Sequence, residues 1–124
     1  MDDDSQLSGY LVELFDSLPE AIEVETASNG FDAGLKVMTF RPDLVLLDLM
    51  MPGQDGFQVC RRIREDPSTC DIRIIAMTGY PSPGNIERIV TAGAETCLAK
   101  PIDTRALLEA IGLEPEIAPT FSRR

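Results

Sequence analysis

The stretch Pro42–Gly56, PDLVLLDLMMPGQDG, constrains the fold of this chain more than any other. Leu44, Val45, Leu46 and Leu47 form a continuous apolar run of the length a fully buried parallel strand needs, with Pro42 and Asp43 bounding its start. The run ends on a carboxylate, Asp48, and passes into a turn containing Pro52, Gly53 and Gly56. In open α/β sheets, ligands and chemistry collect just past the carboxyl ends of the strands. Taken alone, an aspartate there need only terminate a strand and cap a turn. A chemical role requires partners from elsewhere in the chain.

The flanking pattern supplies an α/β frame. Ser5–Leu18 carries Leu7, Leu11, Leu14 and Leu18 at helical spacing, with Tyr10 and Phe15 beside them, and Pro19 closes it. Ile22, Val24 and Thr26 alternate with glutamates as a half-buried strand does, before Ser28-Asn29-Gly30. Phe31–Phe40 predicts a second helix through Leu35, Val37 and Met38, with Gly34 a weak point. Phe57–Glu65 predicts a third, burying Phe57, Cys60 and Ile63 and stopped by Asp66-Pro67.

Ile72–Met77 is a further β-branched run ending at Thr78-Gly79. A helix is expected from Asn85 to Ala92, burying Ile86, Ile89 and Val90 and stopping at Gly93. Thr96–Ala99 predicts the last strand, before Lys100-Pro101, and Asp103 caps a final helix. Strands alternating with helices predict a parallel sheet covered on both faces. We expect one domain over residues 1–113, with 114–124 a tail or linker stub.

Composition excludes several function classes. The formal net charge of −10 argues against nucleic-acid or anionic-membrane binding by this domain. No run is apolar enough to span a bilayer, and the first residues are acidic rather than signal-like, so a cytoplasmic location is expected. Cys60, Cys70 and Cys97 lack CxxC spacing and the chain has no histidine, which disfavours zinc, a disulfide framework and a Ser-His or Cys-His nucleophile.

The strand ends carry Asp48, Thr78 and Lys100, and a parallel sheet brings such residues to one rim. If Asp2 and Asp3 also follow a strand, the crowded carboxylates require a cation, and few hard oxygen donors favour Mg²⁺ retaining water. A carboxylate between Mg²⁺ and Lys⁺ suits nucleophilic attack on a phosphoryl group. The bland alternatives are a surface ion pair for Lys100 and a solvated acidic terminus for Asp2, Asp3 and Asp4.

Five segments in order resemble the receiver domain of two-component response regulators: DDD at Asp2–Asp4, SNGFDAG at Ser28–Gly34, PDLVLLDLMMPGQDGF at Pro42–Phe57, IIAMTG at Ile74–Gly79, and AGAETCLAKPID at Ala92–Asp103. The resemblance implies a flavodoxin-like, doubly wound, five-stranded parallel sheet of order 2-1-3-4-5. It implies Asp48 as acceptor of a phosphoryl group from a sensor histidine kinase or phosphotransfer protein. Mg²⁺ would be held by Asp3, Asp48 and the Met50 backbone carbonyl, with Asp2 acting through water. Thr78 would bind the phosphoryl group, Lys100 would pair with it, and Lys100-Pro101 would be a cis peptide.

On that basis the chain is no enzyme beyond self-catalysed phosphoryl transfer and dephosphorylation. Its output surface, toward an output domain or partner, would be the Asn85–Ala92 helix and the Thr96–Ala99 strand, and a homodimer is a further expected partner state. Two departures stand out. Cys97 occupies a position where the family usually has an aromatic ring, with Tyr80 the other residue near that space. Only Met1 precedes the acidic triplet, so the family's first strand is largely missing from the sequence given. Four or five buried apolar residues there would contribute on the order of 6–15 kcal/mol, comparable to a small domain's whole stability. The alternatives are a later-than-natural start, a strand supplied by another chain, or partial unfolding.

Two other functions remain open at this point. A pseudo-receiver would use the same fold as a protein-interaction module without phosphorylation. An aspartyl-phosphate phosphohydrolase would need a second carboxylate two residues after the nucleophile, where this chain has Met50.

Overall fold

The computed structural model describes residues 5–18, 30–51 and 54–112. The expected strand at Ile22–Thr26, the acidic triplet, the question of a first strand and the tail at 114–124 lie outside the described residues.

In chain order the elements are α1 (Ser5–Asp16), α2 (Gly30–Phe40), β1 (Leu44–Asp48), β2 (Met50–Met51), β3 (Gln54–Asp55), α3 (Gly56–Glu65), β4 (Arg73–Thr78), α4 (Pro83–Ala92), β5 (Thr96–Ala99) and α5 (Thr104–Ile111). Strands β1, β4 and β5 form a parallel sheet in that spatial order. Parallel neighbours need a crossover, which α3 supplies between β1 and β4 and α4 between β4 and β5. This arrangement matches the last three positions of the expected sheet order.

Alternation along the strands divides the core in two. Val45 and Leu47 of β1, Ile74 and Ala76 of β4, and partly buried Cys97 of β5 pack with Val37, Cys60, Ile63 and Ile89 of α2, α3 and α4. Leu46 and Leu98 point to the other face, against Leu11 and Phe15 of α1 and Leu107 and Leu108 of α5. The two helices on that face are also joined by a hydrogen bond between the Tyr10 and Thr104 hydroxyls.

Three local expectations require correction. Helix α4 starts at Pro83 rather than Asn85, because Ser82 is its N-cap and proline suits the first helical position, where an N–H is not needed. Of its apolar residues only Ile89 is buried; Ile86 and Val90 are 39% and 44% exposed. Among the described side chains of α2 the buried ones are Ala33 and Val37, four residues apart, and Leu35 and Met38 lie off that line and are exposed. The turn after β1 contains a short antiparallel pairing, Met50 with Asp55 and Met51 with Gln54.

Candidate functional site

The strand register explains how residues distant in sequence reach one edge. Asp48 pairs with Met77, and Thr78 with Ala99, so the carboxyl ends of β1, β4 and β5 coincide. The ladder continues past the strand ends through Leu49 N–H to Met77 carbonyl, 3.0 Å, and Lys100 N–H to Thr78 carbonyl, 2.8 Å. Asp48 and Lys100 are thereby held by backbone hydrogen bonds on either side of β4.

Asp48 is 2% exposed, and its Oδ2 accepts a hydrogen bond from Lys100 Nζ at 2.8 Å. Lys100 keeps 24% of its side chain in contact with solvent. A carboxylate so deeply buried is costly unless charge and hydrogen bonds compensate it, and an ammonium at this distance does so directly. The peptide between Lys100 and Pro101 is cis, as the resemblance implied.

Thr78 closes β4 and is also 2% exposed. Its Oγ1 accepts the Tyr80 N–H at 3.0 Å, a local side-chain turn that leaves the hydroxyl proton for another acceptor. Tyr80 is 74% exposed, so its ring does not fill space beside Cys97. Cys97 is partly buried, and burial pushes its thiol above the usual cysteine value. Burial does the same to Cys60, opposed by Arg64 and Arg61. Raised thiol pKa values make both poor nucleophiles, in keeping with packing roles.

The turn after Asp48 folds back onto the strand it leaves. Gly56 begins α3 so close to β1 that a Cβ there would lie 2.7 Å from Leu49 Cα and 3.1 Å from the Asp48 carbonyl oxygen. Asp55 caps the helix by accepting the Phe57 N–H at 2.8 Å. Arg88 of α4 stacks over the Phe57 ring at 3.9 Å from its centroid and lies 3.8 Å from Asp55 Oδ2. The Met50 backbone, an expected metal ligand, belongs to β2, immediately beyond Asp48 and Leu49.

Asp48, Thr78 and Lys100 are thus the expected site residues that the described structure brings to one sheet edge. Asp2 and Asp3 lie outside the described residues, and among the described residues no three metal-ligating side chains converge. Sequence reasoning missed the contacts α4 makes with this edge. The Asn85 side-chain amide donates to the Tyr80 carbonyl at 3.1 Å, and Arg88 reaches Phe57. Only the helix start had a readable signal, Ser82 followed by Pro83.

Comparison with known proteins places this geometry in a family context. The family model "Response regulator receiver domain" matches residues 1–112. The response regulator PleD of Caulobacter vibrioides is 42% identical over 84 residues, covering 68% of this chain and 18% of PleD. The chain therefore corresponds to about a fifth of that relative's length. The crystal structure of the signal receiver domain of a DNA-binding response regulator (merR) from Colwellia psychrerythraea 34H is 43% identical, with a TM-score of 0.85 and 89% of each chain covered. A Burkholderia pseudomallei response regulator solved with a phosphorylated aspartic acid, calcium ion and citrate is 27% identical, with a TM-score of 0.75, covering 88% of this chain and 62% of that one. The fold is the flavodoxin-like receiver fold that the sequence led us to expect.

Proposed function

Because this chain belongs to the response regulator receiver family, we propose that it is a phosphoacceptor switch whose acceptor is Asp48. The observation that carries the reading is the Asp48 carboxylate, buried at the carboxyl edge of the sheet with Lys100 Nζ 2.8 Å from one oxygen.

The chemistry is an in-line displacement. An Asp48 oxygen forms a bond to phosphorus while the bond from phosphorus to the donor breaks, and the donor atom keeps the electron pair. The donor atom is an imidazole nitrogen for a histidine kinase or phosphotransfer protein and an acetate oxygen for acetyl phosphate. Lys100 places positive charge where phosphoryl oxygens arrive, and the Thr78 hydroxyl has a proton to offer one of them.

A divalent cation fits the donor chemistry, since Asp48 and the Met50 carbonyl are hard oxygen donors. Asp3 would be a further ligand and Asp2 would act through water. Bound Mg²⁺ would neutralise charge developing on the phosphoryl group. The calcium ion and phosphorylated aspartic acid of the Burkholderia pseudomallei relative support the same assignment.

The partners in this reading are a sensor histidine kinase or phosphotransfer protein on the input side. An output domain, or a second copy, would use the face of α4 and β5, where Ile86 and Val90 of α4 are exposed. The chain acts as a switch rather than an enzyme, in the cytoplasm, and no described helix is long and apolar enough to cross a membrane.

Incubation with acetyl phosphate and Mg²⁺ followed by intact mass spectrometry tests the reading. We expect one phosphoryl adduct on the wild type and none on Asp48→Asn. An equal adduct on Asp48→Asn would refute Asp48 as acceptor. Metal binding by the wild type without any adduct would select the pseudo-receiver instead.

A further inference from the structure

Nothing inside the described molecule calls for glycine at Gly34. The residue lies in the interior of α2, where glycine is a poorer helix former than alanine. Its φ is not among the positive ones, and a Cβ built on it would meet nothing within 4 Å. Neither its own backbone nor a neighbouring group therefore requires the side chain to be absent. On an exposed helix face, a bare backbone admits the close approach of another molecule.

That face borders a groove between α2 and α3. Ala33 and Val37 of α2 and Val59 and Ile63 of α3 line it and are buried, Gly34 and Met38 line its α2 side, and its volume is about 150 Å³. A hollow of that size takes one large apolar side chain. Met38 is 47% exposed and sits one turn on from Gly34, and Leu35 beside them is 51% exposed. The α2 side thus carries a hollow and an apolar knob four residues apart. Such a pattern complements itself when two copies meet antiparallel across a two-fold axis.

The α3 side complements itself in charge. Arg62 lines the groove, and its side chain makes no hydrogen bond or ion pair among the described residues. Asp66, one turn on, lines it as well. The Ser68 N–H and hydroxyl donate to Asp66 Oδ1 at 2.9 and 2.8 Å, which holds that carboxyl below the ordinary aspartate value. Opposite charges one turn apart on one wall become two facing ion pairs in the same antiparallel arrangement.

We propose that the α2–α3 groove is a self-association face, where two copies of this chain pair about a two-fold axis with each Met38 seated over the other copy's Gly34. This goes beyond the phosphoacceptor reading and needs no phosphoryl group. Helix α3 separates the groove from the α4 face assigned above to output. The net charge of −10 on each copy opposes pairing, so the association is weak at low salt.

Sedimentation velocity of the full chain, without phosphodonor, tests the pairing over about a hundredfold range of concentration. The salt is about 0.15 M, where repulsion is screened within about 8 Å. We expect a concentration-dependent dimer in the wild type. Gly34→Gln fills the hollow and Met38→Gln replaces the knob with a polar chain of similar length. Each should weaken the dimer by roughly tenfold more than Ile86→Gln on α4 does. Glutamine is also a better helix former than glycine, so Gly34→Gln should raise the urea midpoint at concentrations where the chain is monomeric. Weaker pairing in a more stable chain separates loss of the face from loss of the fold.

A wild type that stays monomeric throughout the range overturns the proposal. So does a dimer that Met38→Gln or Gly34→Gln leaves intact, or one that Ile86→Gln weakens as much, which would move the pairing to α4.

Discussion

Gly56 shows how much of the site depends on single atoms. Its position at the start of α3 brings helix backbone against Leu49 Cα and the Asp48 carbonyl, with no room for a methyl group. The neighbours are main-chain atoms of Asp48, the last residue of β1, and of Leu49 directly after it, so they yield only by moving the backbone that carries the proposed acceptor. Gly56→Ala should therefore cost about 1–3 kcal/mol, as overpacking does, and should also lower phosphoryl uptake because Asp48 moves with its strand. Urea denaturation and adduct yield measure the two effects separately. A variant of undiminished stability and yield would mean that the turn has slack the structure does not show. The Asp48–Lys100 pair is less forgiving, since it sets a charge 2.8 Å from a carboxylate that is almost fully buried.

At the scale of elements, the two edges of the sheet do different work. Arg73 opens β4 and binds Glu95 through two of its guanidinium nitrogens, Nε to Oε1 at 2.6 Å and Nη2 to Oε2 at 2.9 Å. It also donates to the Ile111 and Ala110 carbonyls at the end of α5, at 2.7 and 3.0 Å. One side chain thus joins β4, the approach to β5 and the carbonyls a helix terminus leaves unpaired. The Arg73 hydrogen bonds hold the Glu95 carboxyl below the ordinary glutamate value, against a smaller opposing effect of burial. A depressed folded-state value means that the contribution is full above the unfolded value, ~4.3, and is lost as pH falls through the folded one. The denaturation midpoint of the wild type should exceed that of Glu95→Gln at pH 7, and the gap should close as pH drops below about 4. Both groups are substantially exposed, so the gap is small. A gap that widens on acidification would contradict the assigned partner.

Across the described molecule, the proposed site lies at the carboxyl edge of the sheet and the arginine clamps at the amino edge. Arg64 of α3 donates from Nε to the Gly93 carbonyl at 2.9 Å and from Nη1 to the Cys70 carbonyl at 2.8 Å, and it also reaches the Ile72 carbonyl. It ties together the connections that lead into β4 and β5. Gly93 is confined by the same side chain: its φ is 124°, and a Cβ there would collide with Arg64. Arg64→Met keeps the length and loses every donor, and we expect it to destabilise the fold by about 1.5–3 kcal/mol. Acetyl phosphate should still label Asp48 to the wild-type extent below the unfolding transition. Lost labelling at full stability would show that the two edges are coupled.

The sequence by itself determined the alternating α/β frame, because hydrophobic period and length are local properties: β1 and β5 fall at the residues the pattern marked. It also marked Asp48, Thr78 and Lys100 as strand-end residues, since strand ends can be read locally and parallel pairing carries them to one rim. Which faces of α2 and α4 are buried was not legible, because Leu35, Met38, Ile86 and Val90 are apolar at helical spacing yet exposed. Burial depends on where the neighbouring helix sits, and no local pattern encodes that. Tertiary structure alone decided the 2.8 Å contact between groups 52 residues apart. It likewise decided the hold of Asn85 on the Tyr80 carbonyl, a backbone acceptor that every residue possesses and no sequence distinguishes.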